Sequence, residues 1–245
     1  MKPFELILCG AMVCSLSCTI TGPDNELFPF NVRCIAKAGT DIQQCYIYRT
    51  VSRDDNPSYD LDVPDADVVM INSRGERRIF SFYTDSVHSS TYYRSDSGFA
   101  LSENETFSLR VKHDNITVNG EAAVPGNFKI LSITNRGENE NHTYTIDVQW
   151  QKSNNSAIYQ VKSVVPFTNN GHLYYEERLY ETRDTSISFA LDLPFQNRDS
   201  VLVQVTALDK NYYDATSLHY QQVGIDRGIG FVGAGLVQSK RFMIQ

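Results

Sequence analysis

Residues 144–150 read YTIDVQW, residues 186–191 read SISFAL and residues 201–207 read VLVQVTA. In each stretch the apolar side chains fall at every second position: Tyr144, Ile146, Val148 and Trp150; Ile187, Phe189 and Leu191; Val201, Val203, Val205 and Ala207. A period of two puts one set of side chains on one face of an extended strand. Phe107, Leu109 and Val111 follow the same rule nearer the N-terminus. Short strands of this kind, spaced by turns, specify an all-β fold built of β-sandwiches and argue against a βαβ arrangement. One short helix is expected, around residues 212–221 (YYDATSLHYQ).

Working outward, ADVVMINSRGERRIFSFY reads as a strand, a turn at Ser73-Arg74-Gly75 and a second strand. ETFSLRVKHDNITVNGEAAVPG supplies another strand and an exit through Pro125-Gly126, after which FKILSITN opens a new set. The organisation expected is two consecutive β-sandwich domains, 28–126 and 127–245, without internal repeats. Fourteen Tyr and thirteen Phe against one Trp suit sheets, whose pleated, half-buried surfaces take aromatic side chains well.

The first residues carry an address. MKPFELILCGAMVCSLSC starts with a cation at Lys2, continues through a short apolar run and ends in small residues before Cys18. This is the pattern of a secretory signal peptide. The run is too short to span a bilayer, which takes roughly 20 residues. Its end resembles a bacterial lipoprotein signal, so residues 1–17 are read as removed, Cys18 as lipidated and residues 18–27 as a tether. The alternative is an ordinary secreted protein cut nearby. Thr19, rather than Asp, after the cysteine favours transfer to the outer membrane. The net charge is −7, and the presumed signal holds one Lys and one Glu, so the mature chain keeps that charge. An acidic surface argues against nucleic acid and against anionic headgroups as partners.

Cys34 and Cys45 remain in the mature chain. A hairpin turning at Gly39-Thr40 sets them opposite one another, either as a disulfide or as two small buried hydrophobes. Asp60, Asp62, Asp65 and Asp67 crowd the sequence DLDVPDAD. They are weak calcium candidates, because hard cations take several oxygen ligands, but the run lacks an EF-hand pattern and reads first as a solvated acidic loop. The doublets Tyr92-Tyr93, Tyr174-Tyr175 and Tyr212-Tyr213 are candidate ligand contacts, and each strand doublet should bury one ring and expose the other. Gly228, Gly230 and Gly233 match the letters of a dinucleotide fingerprint. Only twelve residues follow, too few for the βαβ unit that motif needs, so the glycines are read as a bend or bulge before the last strand. No HExxH, no nucleophile elbow and no convincing carboxylate pair occurs, so no catalytic residue and no cofactor is assigned.

TIDVQW ending in Trp150, AIYQV with Tyr159, and the Val201-x-Val203-x-Val205-x-Ala207 strand resemble a fibronectin type III module. The leading Tyr of that strand in the family is absent here. The first half resembles an immunoglobulin-like or carboxypeptidase-regulatory-like module. Over nearly the whole mature chain, the lipoprotein-like start, DADVVM, SENETFSLRV with EAAVPG, VTALDKNYYDAT and GIGFVGAGLV resemble the domain-of-unknown-function 4249 family of Bacteroidetes-type lipoproteins. The resemblance implies a non-enzymatic, lipid-anchored protein of the outer membrane, facing the periplasm or the outside, that works with a TonB-dependent β-barrel receptor. The alternative is a lipid-anchored carbohydrate- or peptide-binding module.

Overall fold

The structure is a computed structural model and describes residues 30–40, 42–50, 61–87, 90–96, 101–138, 143–169, 172–191 and 200–243. Seven strands come from the first half: β1 (Phe30–Ala38), β2 (Gln44–Arg49), β3 (Asp67–Asn72), β4 (Arg77–Asp85), β5 (Ser90–Ser95), β6 (Thr106–His113) and β7 (Ile116–Ala123). The second half adds β8 (Ile130–Glu138), β9 (Tyr144–Trp150), β10 (Ile158–Asn169), β11 (His172–Thr182), β12 (Ser186–Leu191), β13 (Ser200–Leu208), helix α1 (Lys210–Thr216), β14 (Gln222–Val223) and β15 (Ile229–Met243). The chain is all-β apart from α1, as its alternating segments require.

In the second half a three-stranded sheet, β12-β9-β8, faces the β11-β10-β13-β15 end of the large sheet. This three-on-four order is that of a fibronectin type III sandwich. The inward positions of β9 and β12 (Ile146, Val148, Trp150, Phe189, Leu191) share one buried cluster with those of β10 and β13 (Tyr159, Val161, Val165, Val201, Val203, Val205). Trp150 meets Tyr159 edge-on at 5.3 Å between ring centroids. The Tyr159 hydroxyl accepts hydrogen bonds from Ser153 N at 2.8 Å and Ser156 Oγ at 2.9 Å. These bonds hold the β9–β10 connection against the end of the sandwich.

In the first half the order β15-β1-β2-β5-β4-β3-β6-β7 forms a curled sheet. Its concave side holds Val32, Cys34, Ile47, Val68, Met70, Phe80, Tyr93, Leu109 and Val111, all buried. The curl brings β7 back to the segment before β15: Glu121 N donates to Gly224 O at 2.8 Å, and Asp226 N donates to Asn119 O at 2.9 Å. The hairpins expected at Gly39 and Gly75 are present, with φ of +82° and +78°. Both β3–β4 and β1–β2 are antiparallel neighbours.

The last strand belongs to both halves. Residues Ile229–Leu236 of β15 run parallel to β1, from Asn31↔Ile229 to Ala38↔Leu236. Residues Gly235–Met243 run antiparallel to β13, from Leu208↔Gly235 to Ser200↔Met243. Strands from 30–123 and from 130–243 therefore join in one sheet, and one buried cluster extends from Phe30 to Leu236 through both. The boundary read at Pro125-Gly126 separates β7 from β8 along the chain, and β15 crosses it in space.

Gly228 directly precedes this strand, as expected of a bend, whereas Gly230 and Gly233 lie inside it. A Cβ on Gly230 (φ +106°) would stand 2.0 Å from the Val32 carbonyl oxygen, so only glycine lets the two backbones pair at this register. Gly233 clears the way for α1, since a Cβ there would lie 3.0 Å from Asp209 Oδ1 and 3.3 Å from Tyr212 N.

Helix α1 starts two residues earlier than the apolar pattern suggests and ends sooner. Asp209 caps it by accepting from Tyr212 N at 3.0 Å, which satisfies a donor that the first turn leaves free. His219 has φ of +57°, a left-handed conformation that ends the run. The helix sits on the outward side of the joint sheet. Tyr212 packs on Ile158 and Leu208, with Ile35, Tyr213 and Phe231 around them. It thus covers the place where β1, β15, β13 and β10 meet.

Candidate functional site

Two places gather the residues singled out in the sequence. The first is a cleft of about 930 Å³ beside α1, lined by Lys152, Tyr159, Arg183, Asp184, Asp209, Lys210, Tyr213 and Asp214 among others. The Arg183 guanidinium lies 5.2 Å from the centroid of the Tyr213 ring, a cation–π contact across the mouth. Lys210 pairs with Asp214 one helical turn on. Burial pushes the Asp209 carboxyl up to about 6, although the Tyr212 and Ala234 backbone contacts oppose the shift. Tyr212 donates its hydroxyl to Glu181 Oε1 at 3.0 Å. Burial, with the neighbouring Glu181 charge, raises its phenol to about 12. Each of these groups is engaged in holding α1 on the sheet. Tyr212 is accordingly a packing residue, whereas Tyr213 reaches the cleft.

The second place is the convex face of β1-β2-β5-β4. Tyr93 points inward; its hydroxyl donates to Val63 O and accepts from Ala66 N at 2.8 Å. Tyr92 points outward and is half-buried, so the doublet divides between the two faces but its outer ring is not fully exposed. Tyr92 lies between Tyr46, at 6.0 Å, and Tyr83, at 6.1 Å with the ring planes 15° apart. The Arg94 guanidinium stands 4.8 Å over Tyr83. Arg33 is directly opposite Tyr46. Neither Tyr46 nor Tyr83 stands out in the sequence. The signal that could have found them is their outward parity, and it becomes useful only once β2 and β4 are known to flank β5.

The other candidates are dispersed. Tyr174 and Tyr175 are both exposed, at 46 % and 62 %, because β11 ends the sheet order and leaves its aromatic end open on both faces. That corrects the expectation of one buried ring in the pair. Asp62 accepts from Thr91 Oγ1, Asp65 faces His113 Nδ1 at 3.2 Å and Asp67 pairs with Arg110 at 3.1 Å. The acidic run thus goes to three separate partners. Among the described residues no cluster of three or more His, Cys, Asp or Glu is placed to hold a metal. Asp60 and Cys18 lie outside the described residues. Cys34 and Cys45 are directly opposite across β1 and β2 and fully buried, as free thiols. The neighbouring Cys34 sulfur, followed by burial, pushes the Cys45 thiol well above its usual range.

The family model described as "Domain of unknown function (DUF4249)" matches residues 31–241. The chain belongs to this family. None of the curated proteins matches it. Among solved structures, the chain is similar to a DUF4785 family protein from Legionella pneumophila, with 16 % identity, a TM-score of 0.24, and 71 % of this chain and 51 % of that one covered. It spans about half the length of that structure. It is also similar to the chicken CNTN1 FN1–FN3 domains, with 10 % identity, a TM-score of 0.24 and coverage of 85 % and 66 %. A third similarity is to the chicken interferon gamma receptor alpha chain, with 8 % identity, a TM-score of 0.25 and coverage of 88 % and 97 %. At these scores the architecture rests on the strand order of the chain itself.

Proposed function

We propose that this protein is a non-enzymatic lipoprotein of the cell envelope, anchored to the outer membrane through Cys18 and acting as an accessory to an outer-membrane β-barrel receptor. The observation that carries the reading is the N-terminal sequence: Lys2, a short apolar run, then Ser15-Leu16-Ser17 directly before Cys18. Such a segment is cut rather than retained as a span. Among the described residues no helix is long and apolar enough to cross a membrane, and the proposed attachment needs none. Residues 18–27, read from their polar composition as a tether, would link the lipid to the sandwiches. The cleft beside α1 and the convex face of β1-β2-β5-β4 each hold a cation–π contact, an arrangement that suits binding.

The test has two parts. Cys18→Ala is expected to move the protein from the membrane fraction to the soluble fraction. The native lipidated protein, extracted in mild detergent, is expected to co-purify with a stoichiometric outer-membrane β-barrel, identified by mass spectrometry. Membrane retention of Cys18→Ala would overturn the anchor, and recovery of the native protein alone would overturn the accessory role.

A further inference from the structure

We infer that the convex face of β1-β2-β5-β4 is a binding site for an acidic oligosaccharide, read by Arg33, Tyr46, Tyr92, Tyr83 and Arg94. The inference is independent of the lipid anchor and of any receptor.

The row arises from register. Arg33 pairs with Tyr46 across β1 and β2, and Tyr92 pairs with Tyr83 across β5 and β4. Cys45 opposes Tyr93 between β2 and β5, which sets Tyr46 beside Tyr92. Four consecutive strands thus present Arg-Tyr-Tyr-Tyr in one line. At the usual strand spacing the three rings extend over about 10 Å, room for two or three sugar rings. Aromatic faces stack on the C–H faces of pyranose rings, the apolar part of an otherwise polar ligand. In the next row Gln44 opposes Arg94, and Arg94 opposes Ser81. Amide, guanidinium and hydroxyl therefore flank the aromatic strip and supply the polar contacts that orient a sugar.

The charge of the ligand follows from the arginines. Among the described residues neither Arg33 nor Arg94 makes an ion pair with a carboxylate, although the chain carries a net charge of −7. Asp85, two residues from Tyr83 and of the same parity on β4, accepts from Val87 N at 2.9 Å, and Asp62 is engaged by Thr91. Two guanidiniums left without carboxylates, one at the end of the aromatic row and one over its last ring, match a carboxylate or sulfate on the ligand, which arginine takes in bidentate fashion.

The class of ligand follows from the strands. β2, β5 and β4 each lie between two neighbours in the sheet order, so none of the three is an edge strand of the kind that takes up a peptide strand. A nucleic-acid strand carries a phosphate at every nucleotide and meets the net charge of −7 along its whole length, whereas a short glycan with one or two acids places them only at the two arginines. An acidic glycan uses what this face offers, namely ring faces, an amide, a hydroxyl and two guanidiniums that carry no carboxylate partner among the described residues.

The test is a binding measurement on the full lipidated chain in mild detergent. It uses a panel of uronic-acid, sulfated and sialylated oligosaccharides, their neutral counterparts, and poly-glutamate as a peptide polyanion. At least one acidic class is expected to bind, more weakly at high salt. Tyr83→Ala and Tyr92→Ala should each lower its affinity by tenfold or more. Arg94→Gln should reduce the acidic-over-neutral preference by a similar factor. Each variant is checked by its melting temperature, and Tyr220→Ala, an exposed tyrosine beyond α1, should leave binding unchanged. No binding across the acidic panel, equal binding of neutral glycans, binding of poly-glutamate as tight as the best glycan, or equal loss in Tyr220→Ala would each overturn the inference.

Discussion

Replacing Gly230 by alanine probes the strand that joins the two halves. Two costs can be worked out at this position. The backbone has φ of +106°, where an L side chain is strained by about 1–2 kcal/mol. The added methyl would also stand 2.0 Å from Val32 O and 2.9 Å from Val32 C, main-chain atoms of β1 that cannot swing aside as a side chain would. Relieving that overlap means pushing β15 off β1, an overpacking cost of about 1–3 kcal/mol. The total is about 2–5 kcal/mol. For a chain of this length each kcal/mol moves the melting temperature by roughly 2–4 °C, so Gly230→Ala should melt lower by about 4–20 °C. Gly75→Ala is the control. Its φ is +78°, yet nothing lies within 4 Å of the new Cβ, so it carries the conformational cost alone, about 1–2 kcal/mol. Thermal melts by calorimetry, with urea unfolding alongside, compare the two variants directly. If Gly75→Ala were as damaging as Gly230→Ala, the close approach of β15 to β1 would not be what requires glycine at position 230, and the argument for a shared strand would lose its energetic basis.

Asp209→Asn should change the pH dependence of stability. The folded carboxyl is raised to about 6 from an ordinary 3.8. Its contribution is therefore fully present below about pH 4 and is lost as pH rises through 6, about 3 kcal/mol in all. Asparagine keeps an oxygen for Tyr212 N and cannot ionise, so the variant should gain on the wild type between pH 4 and 8; a difference that stays constant over that range would refute the account. Tyr93→Phe strips the partner from Ala66 N and Val63 O, and two stranded buried backbone groups should cost about 2–3 kcal/mol in the urea midpoint. Tyr83→Phe, on the convex face, should stay within about 0.5 kcal/mol, and equal losses in the two would remove the distinction between inward and outward tyrosines. Cys18→Ala should leave the membrane fraction, as set out above.

Much of the local structure was legible because a strand declares its two faces in a period of two. The alternations at 144–150, 186–191 and 201–207 became β9, β12 and β13, and Trp150 and Tyr159 met in the sandwich they suggested. The β1–β2 and β3–β4 hairpins followed from turn glycines whose φ only glycine adopts readily. Features that needed distant partners were not legible. The glycines of 228–235 signalled unusual backbone, but the reasons lie elsewhere: Val32, almost two hundred residues before Gly230, and Asp209 with Tyr212 beside Gly233. The crowded aspartates looked like one cluster because they are adjacent along the chain, whereas Thr91, His113 and Arg110 take them apart. His113, at the polar end of β6 beside Asp114, has a side chain only 9 % exposed, between Asp65 and Asp114 and edge-on to Phe30.

The sequence by itself determined the all-β class, the family and most strand faces, because propensity and alternation are local properties of the chain. Tertiary structure alone decided that β15 serves both halves, that α1 covers their junction, and that Tyr46, Tyr92 and Tyr83 form one row. The physical reason is strand order. β2, β5 and β4 lie side by side out of sequence, and β1 pairs with residues about two hundred positions away. These contacts depend on which edges the cores leave free to pair, and no window of local sequence contains that information.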